Sequence, residues 1–307
     1  MALFDSFSPW PITRRGLLKQ GLCGALGLAL YSSEIERHWI EVNERDVTLA
    51  GLPRVFDGMR IAQLSDIHLD EYTEPFFLRR VIDRINRMEP EVIFITGDFV
   101  TESPFPRRYS STAFSNRARK FGRGAAWQCA DMLRELKCRE LYAILGNHDI
   151  VVGAKQVTEA LTTNGITVLV NACLPIERSG GRFWLAGLDD PVEGKPNPDL
   201  AIPSSIRNVP NEPVVLMCHA PDYVDLLRAH PAGQAVSLML SGHTHGGQVR
   251  LPLVGALELP SLGRKYVEGW FRFGALQLHV NRGIGTVGVP FRLNCPPEIT
   301  LITLRTG

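Results

Sequence analysis

Short apolar runs recur along the chain, and each is closed by a polar turn. Ile61 to Leu64, Val92 to Ile95, Leu141 to Leu145, Val214 to Met217 and Val236 to Leu240 have no helical period and stop abruptly. Runs of this length and composition predict buried strands. Longer amphipathic stretches lie between some of them. Residues 73–88 place Phe77, Leu78, Val81, Ile82 and Ile85 near a period of about 3.6, with Thr73 as the expected N-cap and Pro75 in the first turn. Residues 124–137 repeat the pattern with Ala126, Cys129, Met132, Leu133 and Leu136. Val157 to Thr163 and Tyr223 to Leu227 read as shorter helices.

A strand, a helix and a second strand in that order imply a parallel pair with a right-handed crossover. Ligands of such sheets gather beyond the carboxyl ends of the strands. Further strands are expected at His38 to Leu49, on an edge, and at Ile166 to Val170, Arg182 to Gly187, Leu276 to Val280 and Ile299 to Leu304. Pro191 to Pro213 reads as a proline-rich surface connection.

The turns that close the five runs carry the candidate chemistry. Asp66 and His68 follow the first, Asp98 the second, Asn147, His148 and Asp149 the third, and His219 the fourth. The fifth ends in Ser241-Gly242-His243-Thr244-His245-Gly246-Gly247-Gln248. Any one histidine after a strand is usually an ordinary loop residue. Five of the chain's 8 histidines occupy such positions, three beside a carboxylate or carboxamide in the same turn, and that combination points to a metal site. If Asp66-Ile67-His68 continues its strand, its outer side chains face one way and hold one ion together; a capping aspartate at a turn is the alternative. Asp149 is placed by the sequence to orient His148 and raise its pKa.

The 307-residue length allows one large domain, and the net charge of +1 gives no global bias toward nucleic acid, so none is expected as a partner. Residues 1–36 modify that picture. Thr13-Arg14-Arg15-Gly16-Leu17-Leu18-Lys19 before an apolar run to Tyr31 resembles a twin-arginine export signal. The run is well short of the ~20 residues of a membrane span, and no clear Ala-x-Ala site follows. A cleaved leader, a short anchor and a basic start to a cytosolic enzyme are all compatible with it. The six cysteines form no C-x-x-C pair, so neither a zinc knuckle nor a redox motif is indicated.

Asp66-x-His68, Gly97-Asp98, Gly146-Asn147-His148-Asp149, His219 and Gly242-His243-Thr244-His245 resemble, in order, the five motifs of the calcineurin-like metallophosphoesterases. The export-like start, Gly246-Gly247-Gln248 and Asn281-Arg282-Gly283 are similar to its exported or membrane-associated bacterial subgroup. That resemblance implies a single domain over 37–307, a four-layer α/β/β/α sandwich of two mixed sheets. It implies two divalent ions, with Asp66, His68 and His245 on one, Asn147, His219 and His243 on the other, and Asp98 bridging. His148 is implied as the non-ligand histidine that contacts substrate and protonates the leaving oxygen. The ligand set suits manganese, iron, zinc or nickel without choosing among them. Arginines that follow the equivalent motifs in Ser/Thr protein phosphatases are missing after Asp98 and Asp149, which weakens that reading.

The implied activity is hydrolysis of a phosphodiester or pyrophosphate, in an envelope lipid or a precursor of the UDP-2,3-diacylglucosamine type. A general phosphomonoesterase or nucleotide phosphodiesterase, and a non-catalytic metal-bound scaffold at the membrane, are the alternatives. The expected location is periplasmic or membrane-associated after twin-arginine export, or else the cytoplasmic face of the inner membrane. Three features bear on substrate. Residues 101–123 carry arginines among aromatics with no acid after Glu102, a basic cap over the site or a solvated loop. Residues 246–273, with Leu251, Leu253, Val254, Leu257 and Trp270, read as an apolar lip for acyl chains or the bilayer, or as a hairpin completing the core. Arg282, flanked by Gly283, is a candidate phosphate clamp and Gln248 a candidate substrate contact.

Overall fold

A computed structural model describes residues 13–69, 73–101, 112–207 and 209–307. In chain order the strands begin with β1 (Glu41–Leu49), β2 (Arg60–Leu64), β3 (Val92–Ile95), β4 (Leu141–Ala143), β5 (Thr167–Val168), β6 (Ala172–Arg178) and β7 (Gly181–Gly187). They continue with β8 (Val214–Met217), β9 (Val236–Ser241), β10 (Arg250–Leu251), β11 (Gly255–Ala256), β12 (Gly269–Phe273), β13 (Leu276–Val280) and β14 (Glu298–Thr306). The helices are α1 (Arg14–Leu30), α2 (Pro75–Met88), α3 (Thr112–Leu133), α4 (Asn147–Thr163), α5 (Pro198–Ala201) and α6 (Val224–Ala229).

One six-stranded sheet has the order β1-β14-β2-β3-β4-β5 and the other β12-β13-β9-β8-β7-β6; β10 and β11 form a separate hairpin. Both sheets are mixed, and β2, β3 and β4 run parallel, as do β7, β8 and β9. The apolar runs are continuous because these strands are covered on both faces. Ile61, Val92 and Phe94 meet Val215, Met217 and Leu238 between the sheets. Their neighbours Ala62, Leu64, Ile93 and Ile95 face α2, α3 and α4. Val214 and Leu216 face α6 and the segment around Ile202 and Ile206. The result is the four-layer α/β/β/α sandwich.

Several local expectations are corrected. Thr73 does not cap α2; Glu74 does, and Thr73 is buried, its Oγ1 accepting from the Thr286 amide at 3.4 Å. The basic segment is not one long loop. Residues 102–111 lie outside the described residues, and from Thr112 the chain is already α3. The apolar pattern starts at 124, yet the helix runs through Gly122, where a Cβ would meet Val152 Cγ2 at 2.9 Å, so this glycine serves close packing on α4. α4 begins at Asn147, ten residues earlier than its apolar pattern, and Gly153 at φ 141° interrupts it. β6 was not foreseen, because Pro175 lies within it; the strand is at a sheet edge, where proline is tolerated. Residues 191–213 are more than a surface connection, since Ala201, Ile202 and Ile206 are buried.

The N-terminal boundary also moves. The Arg292 amide donates to the Ser32 carbonyl at 3.1 Å, and the Cys295 amide to Glu36 Oε1 at 2.7 Å, with the Glu36 side chain buried. Residues 32–36 are therefore part of the body. Among the described residues no helix is long and apolar enough to cross a membrane.

Candidate metal centre

The turns after β2, β3, β4, β8 and β9 meet at the shared carboxyl edge of the two sheets. Their backbones are unusual. Asp66 (φ 49°), His68 (φ 47°), Asp98 (φ 57°), His243 (φ 71°) and His245 (φ 51°) are all left-handed, a conformation that non-glycine residues adopt rarely. Such strain persists where the surroundings over-determine it, and here it gathers on the residues that face one another. Asp66 and His68 thus converge through a turn rather than as neighbours on one face of an extended strand; His68 Nε2 lies 3.9 Å from Asp66 Oδ1. Glycine is required where the loops touch. A Cβ at Gly146 would overlap the Asp98 carboxylate, and one at Gly242 would overlap Ser65 and Asp66.

Among the described residues three ligand groups result, and two of them share no member. Asp66, His68 and His245 present donor atoms within 4.8 Å of one another, and so do Asp98, His219 and His243. His245 Nε2 is 3.1 Å from His68 Nε2 and 3.4 Å from Asp66 Oδ1. Asp98 Oδ2 stands between the groups, 3.1 Å from His219 Nε2 and 3.5 Å from His68 Nε2. Asn147 Oδ1 is buried without a hydrogen-bond partner. His148 lies beside them, its ring centroid 4.9 Å from that of His68.

Outer contacts fix which nitrogen each ring presents. His219 Nδ1–H donates to the Thr96 carbonyl at 2.7 Å, leaving Nε2 toward Asp98. His243 Nε2–H donates to the Ser261 carbonyl at 2.8 Å, leaving Nδ1 for the site. His68 Nδ1 pairs with Thr101 Oγ1 at 3.2 Å. Charge follows the same logic. Burial alone would push the Asp66 and Asp98 carboxyls up, yet the imidazoles around them hold both below the ordinary carboxylate range. Burial pulls His243 down to about 4, with the positive field of His219 adding to it. Two buried carboxylates, imidazoles with a ring nitrogen turned inward and an orphaned carboxamide oxygen are a donor set that fits divalent transition-metal ions.

Three roles read from the sequence change. Asp149 does not raise the pKa of His148. Its carboxylate accepts from the amides of Asp98 (2.8 Å), Phe99 (3.0 Å), Val100 (3.3 Å) and Gly146 (3.0 Å), clamping the loop after β3 to the loop after β4. Burial pulls His148 down to about 4 instead. Arg282 faces away from the cluster, pairing with Glu298 at 2.9 Å and Glu41 at 2.7 Å. Replacing it with methionine takes one partner from the buried Glu298, which keeps His279 and Thr300, so a stability loss of about 2 kcal/mol is expected with little change in KM. Urea unfolding and kinetics check this; an unchanged midpoint with a much higher KM would restore the phosphate clamp. Gln248 is occupied too. Its Nε2 donates to the carbonyls of Val287 and Val289, and its Oε1 accepts from the Val287 amide.

Two further residues bear on the centre. Asp190, after β7, is fully buried at the same edge, with Oδ2 held by the amides of Val192 and Glu193 and Oδ1 unpartnered. The signal for it was present, since Asp189-Asp190 close the apolar run Phe183 to Leu188 as the other turns do. Arg292 lies buried behind His245, Nη2 at 3.5 Å from Nδ1, and donates to the carbonyls of Arg282, Gly283, Gly285 and Cys295. No periodicity marks it.

The apolar lip divides. Trp270 and Phe271 belong to β12 and pack onto the core, whereas Leu251, Leu253, Val254 and Leu257 are exposed around the β10–β11 hairpin. Between that hairpin and the centre is a mostly apolar cavity of about 420 Å³. His243 and His245 are in its lining, with the apolar Leu257, Val287 and Phe291 and with Glu258.

A family model described as calcineurin-like phosphoesterase matches residues 59–247. The metallophosphoesterase YkuE of Bacillus subtilis is 31% identical over 96% of this chain and 98% of its own length. The phosphodiesterase YaeI of Escherichia coli is 32% identical, covering 80% of this chain and 82% of that protein. The UDP-2,3-diacylglucosamine pyrophosphatase LpxG of Chlamydia muridarum is 24% identical over 86% of this chain and 92% of its own.

Proposed function

The chain belongs to the calcineurin-like phosphoesterases, metal-dependent phosphoric ester hydrolases, and from that premise we propose that it cleaves a phosphodiester or pyrophosphate bond in a lipid or lipid precursor. The observation that carries the chemistry is the pair of ligand groups joined at Asp98. Asp66, His68 and His245 would hold one ion and Asn147, His219 and His243 the other, with Asp98 placed to serve both. Bound there, the ions supply an activated water and neutralise phosphoryl charge. The chain's own residues do the rest. Asp149 holds the Asp98 and Asn147 loops in register through four amides. His148, fixed by its amide to Asp98 Oδ1 at 2.9 Å, is a buried ring beside the cluster. An anionic substrate raises the affinity of that ring for a proton, which it passes to the leaving oxygen.

The mostly apolar cavity supports the lipid half of the reading, because it reaches His243 and His245 and its lining is largely Val249, Leu257, Val287, Val289 and Phe291, beside Glu258. The name of the Chlamydia relative agrees with an acylated, nucleotide-linked substrate. The twin-arginine-like Thr13 to Lys19 segment supports a site of action outside the cytoplasm.

Manganese-loaded protein is expected to hydrolyse bis-p-nitrophenyl phosphate, and a panel of acylated and unacylated phosphodiesters and UDP-linked precursors identifies the natural class. Glutamate at Leu257 or Phe291 should cost roughly tenfold in kcat/KM on acylated substrates, the order expected for losing one apolar contact surface. The small diester should change less than about twofold. Equal losses on both would remove the cavity from substrate recognition.

A further inference from the structure

α1 leaves the body with all of its side chains uncovered, and Leu17, Leu18, Leu22, Leu26, Leu28 and Leu30 are each at least half exposed. At 100° per residue these leucines occupy well over half of the helix circumference, too broad a sector for a helix lying on a polar surface. Arg14, Arg15 and Lys19 mark its first turns, and no acidic residue occurs between Thr13 and Ser33. This helix is not a loose appendage. The Ser32 carbonyl and the Glu36 carboxylate, directly after it, are held by the amides of Arg292 and Cys295.

Two surfaces flank that junction. On one side, the segment before Arg292 exposes Val289 and Phe291, and the Arg250 amide bonded to the Leu293 carbonyl at 2.9 Å ties in the hairpin with Leu253 and Val254 at its tip. On the other, residues 34–40 and α2 enclose a groove of about 650 Å³. Arg80, Arg84 and Arg87 form one wall, Trp39 and Ile35 are exposed at the other, and Glu34, Asp83 and His38 complete its polar lining. Three arginines against two acids leave the groove cationic, and Arg14, Arg15 and Lys19 add positive charge at the start of α1. Exposed apolar groups, an exposed tryptophan and arginines side by side are the components of a membrane interface.

We propose that this face docks on an anionic lipid bilayer, with α1 entering the hydrocarbon, the hairpin tip and Trp39 at the interface, and Arg80, Arg84 and Arg87 on lipid phosphates. Guanidinium groups suit such oxygens because each can donate two parallel hydrogen bonds. The docking does not depend on what the metal centre hydrolyses.

Flotation of the full chain with phosphatidylcholine vesicles, with or without phosphatidylglycerol, tests this. Binding is expected with the anionic vesicles and should weaken with salt. R80Q/R84Q/R87Q should weaken it roughly a hundredfold, and L253D/V254D should weaken it as well. Neither variant is expected to alter melting temperature or turnover of bis-p-nitrophenyl phosphate. Wild-type protein that stays unbound, that binds both vesicle types alike regardless of the arginines, or that instead self-associates into dimers through α1 would overturn the proposal. A chain that floats but cleaves no diester counts for the docking and against the hydrolytic reading.

Discussion

Replacing Asp98 with alanine is expected to reduce kcat for a phosphodiester by roughly a thousandfold or more and to empty at least one of the two ion positions. Asp98 Oδ2 faces His219 Nε2 at 3.1 Å and His68 Nε2 at 3.5 Å, one ring from each ligand group, while Oδ1 accepts from the His148 amide at 2.9 Å. Removing it takes a negative charge from both ion positions and a backbone anchor from the loop after β4. Asparagine at the same position separates the two losses, since it keeps a carbonyl oxygen for the His148 amide but not the charge. Metal content by elemental analysis, read together with the melting curve, reports on the site apart from turnover. An alanine variant that folds, keeps both ions and hydrolyses normally would end the bridging assignment.

Substitution of His148 by asparagine should lower kcat by roughly a hundred- to ten-thousandfold, the usual weight of a proton-transfer group, while both ions stay bound. The geometry makes this a sharp test. His148, His68 and Asp98 present donor atoms within 4.8 Å, so a ligand role for the His148 ring has a spatial basis too. His68, however, is also grouped with Asp66 and His245. If the asparagine variant loses an ion in parallel with activity, His148 is a ligand and the proton must come from elsewhere. With metal content intact and only turnover lost, the substrate-facing role stands.

The sequence carried much of this site because each buried strand ends sharply and the residues after it are polar, few and rich in nitrogen and oxygen donors. Asp66, His68, Asp98, Asn147, His219, His243 and His245 could all be located by that rule, and Asp190 obeys it as well. What the rule does not encode is direction. Aspartate and histidine tolerate left-handed backbone but do not demand it, so the turn that brings Asp66 to His68 is set by the packing of neighbouring loops. Likewise nothing local separates Arg282, consumed by Glu298 and Glu41, from Arg292, which sits behind His245. Their partners are distant in the chain. The early start of α3 lies ahead of its apolar pattern, and the reason for Gly122 is a neighbouring helix rather than a turn.

β14 lies between β1 and β2, pairing with β1 in parallel over the full length of both and with β2 on its other side. Residues 298–306 of that pairing are synthesised more than two hundred positions after β2. Until then the nascent chain holds β1 without its neighbour and β2 with a bare edge, and such long-range closure is slow and exposes unpaired backbone. Loss of the final nine-residue strand would therefore not trim the molecule but leave its first sheet open, ready to pair with another chain.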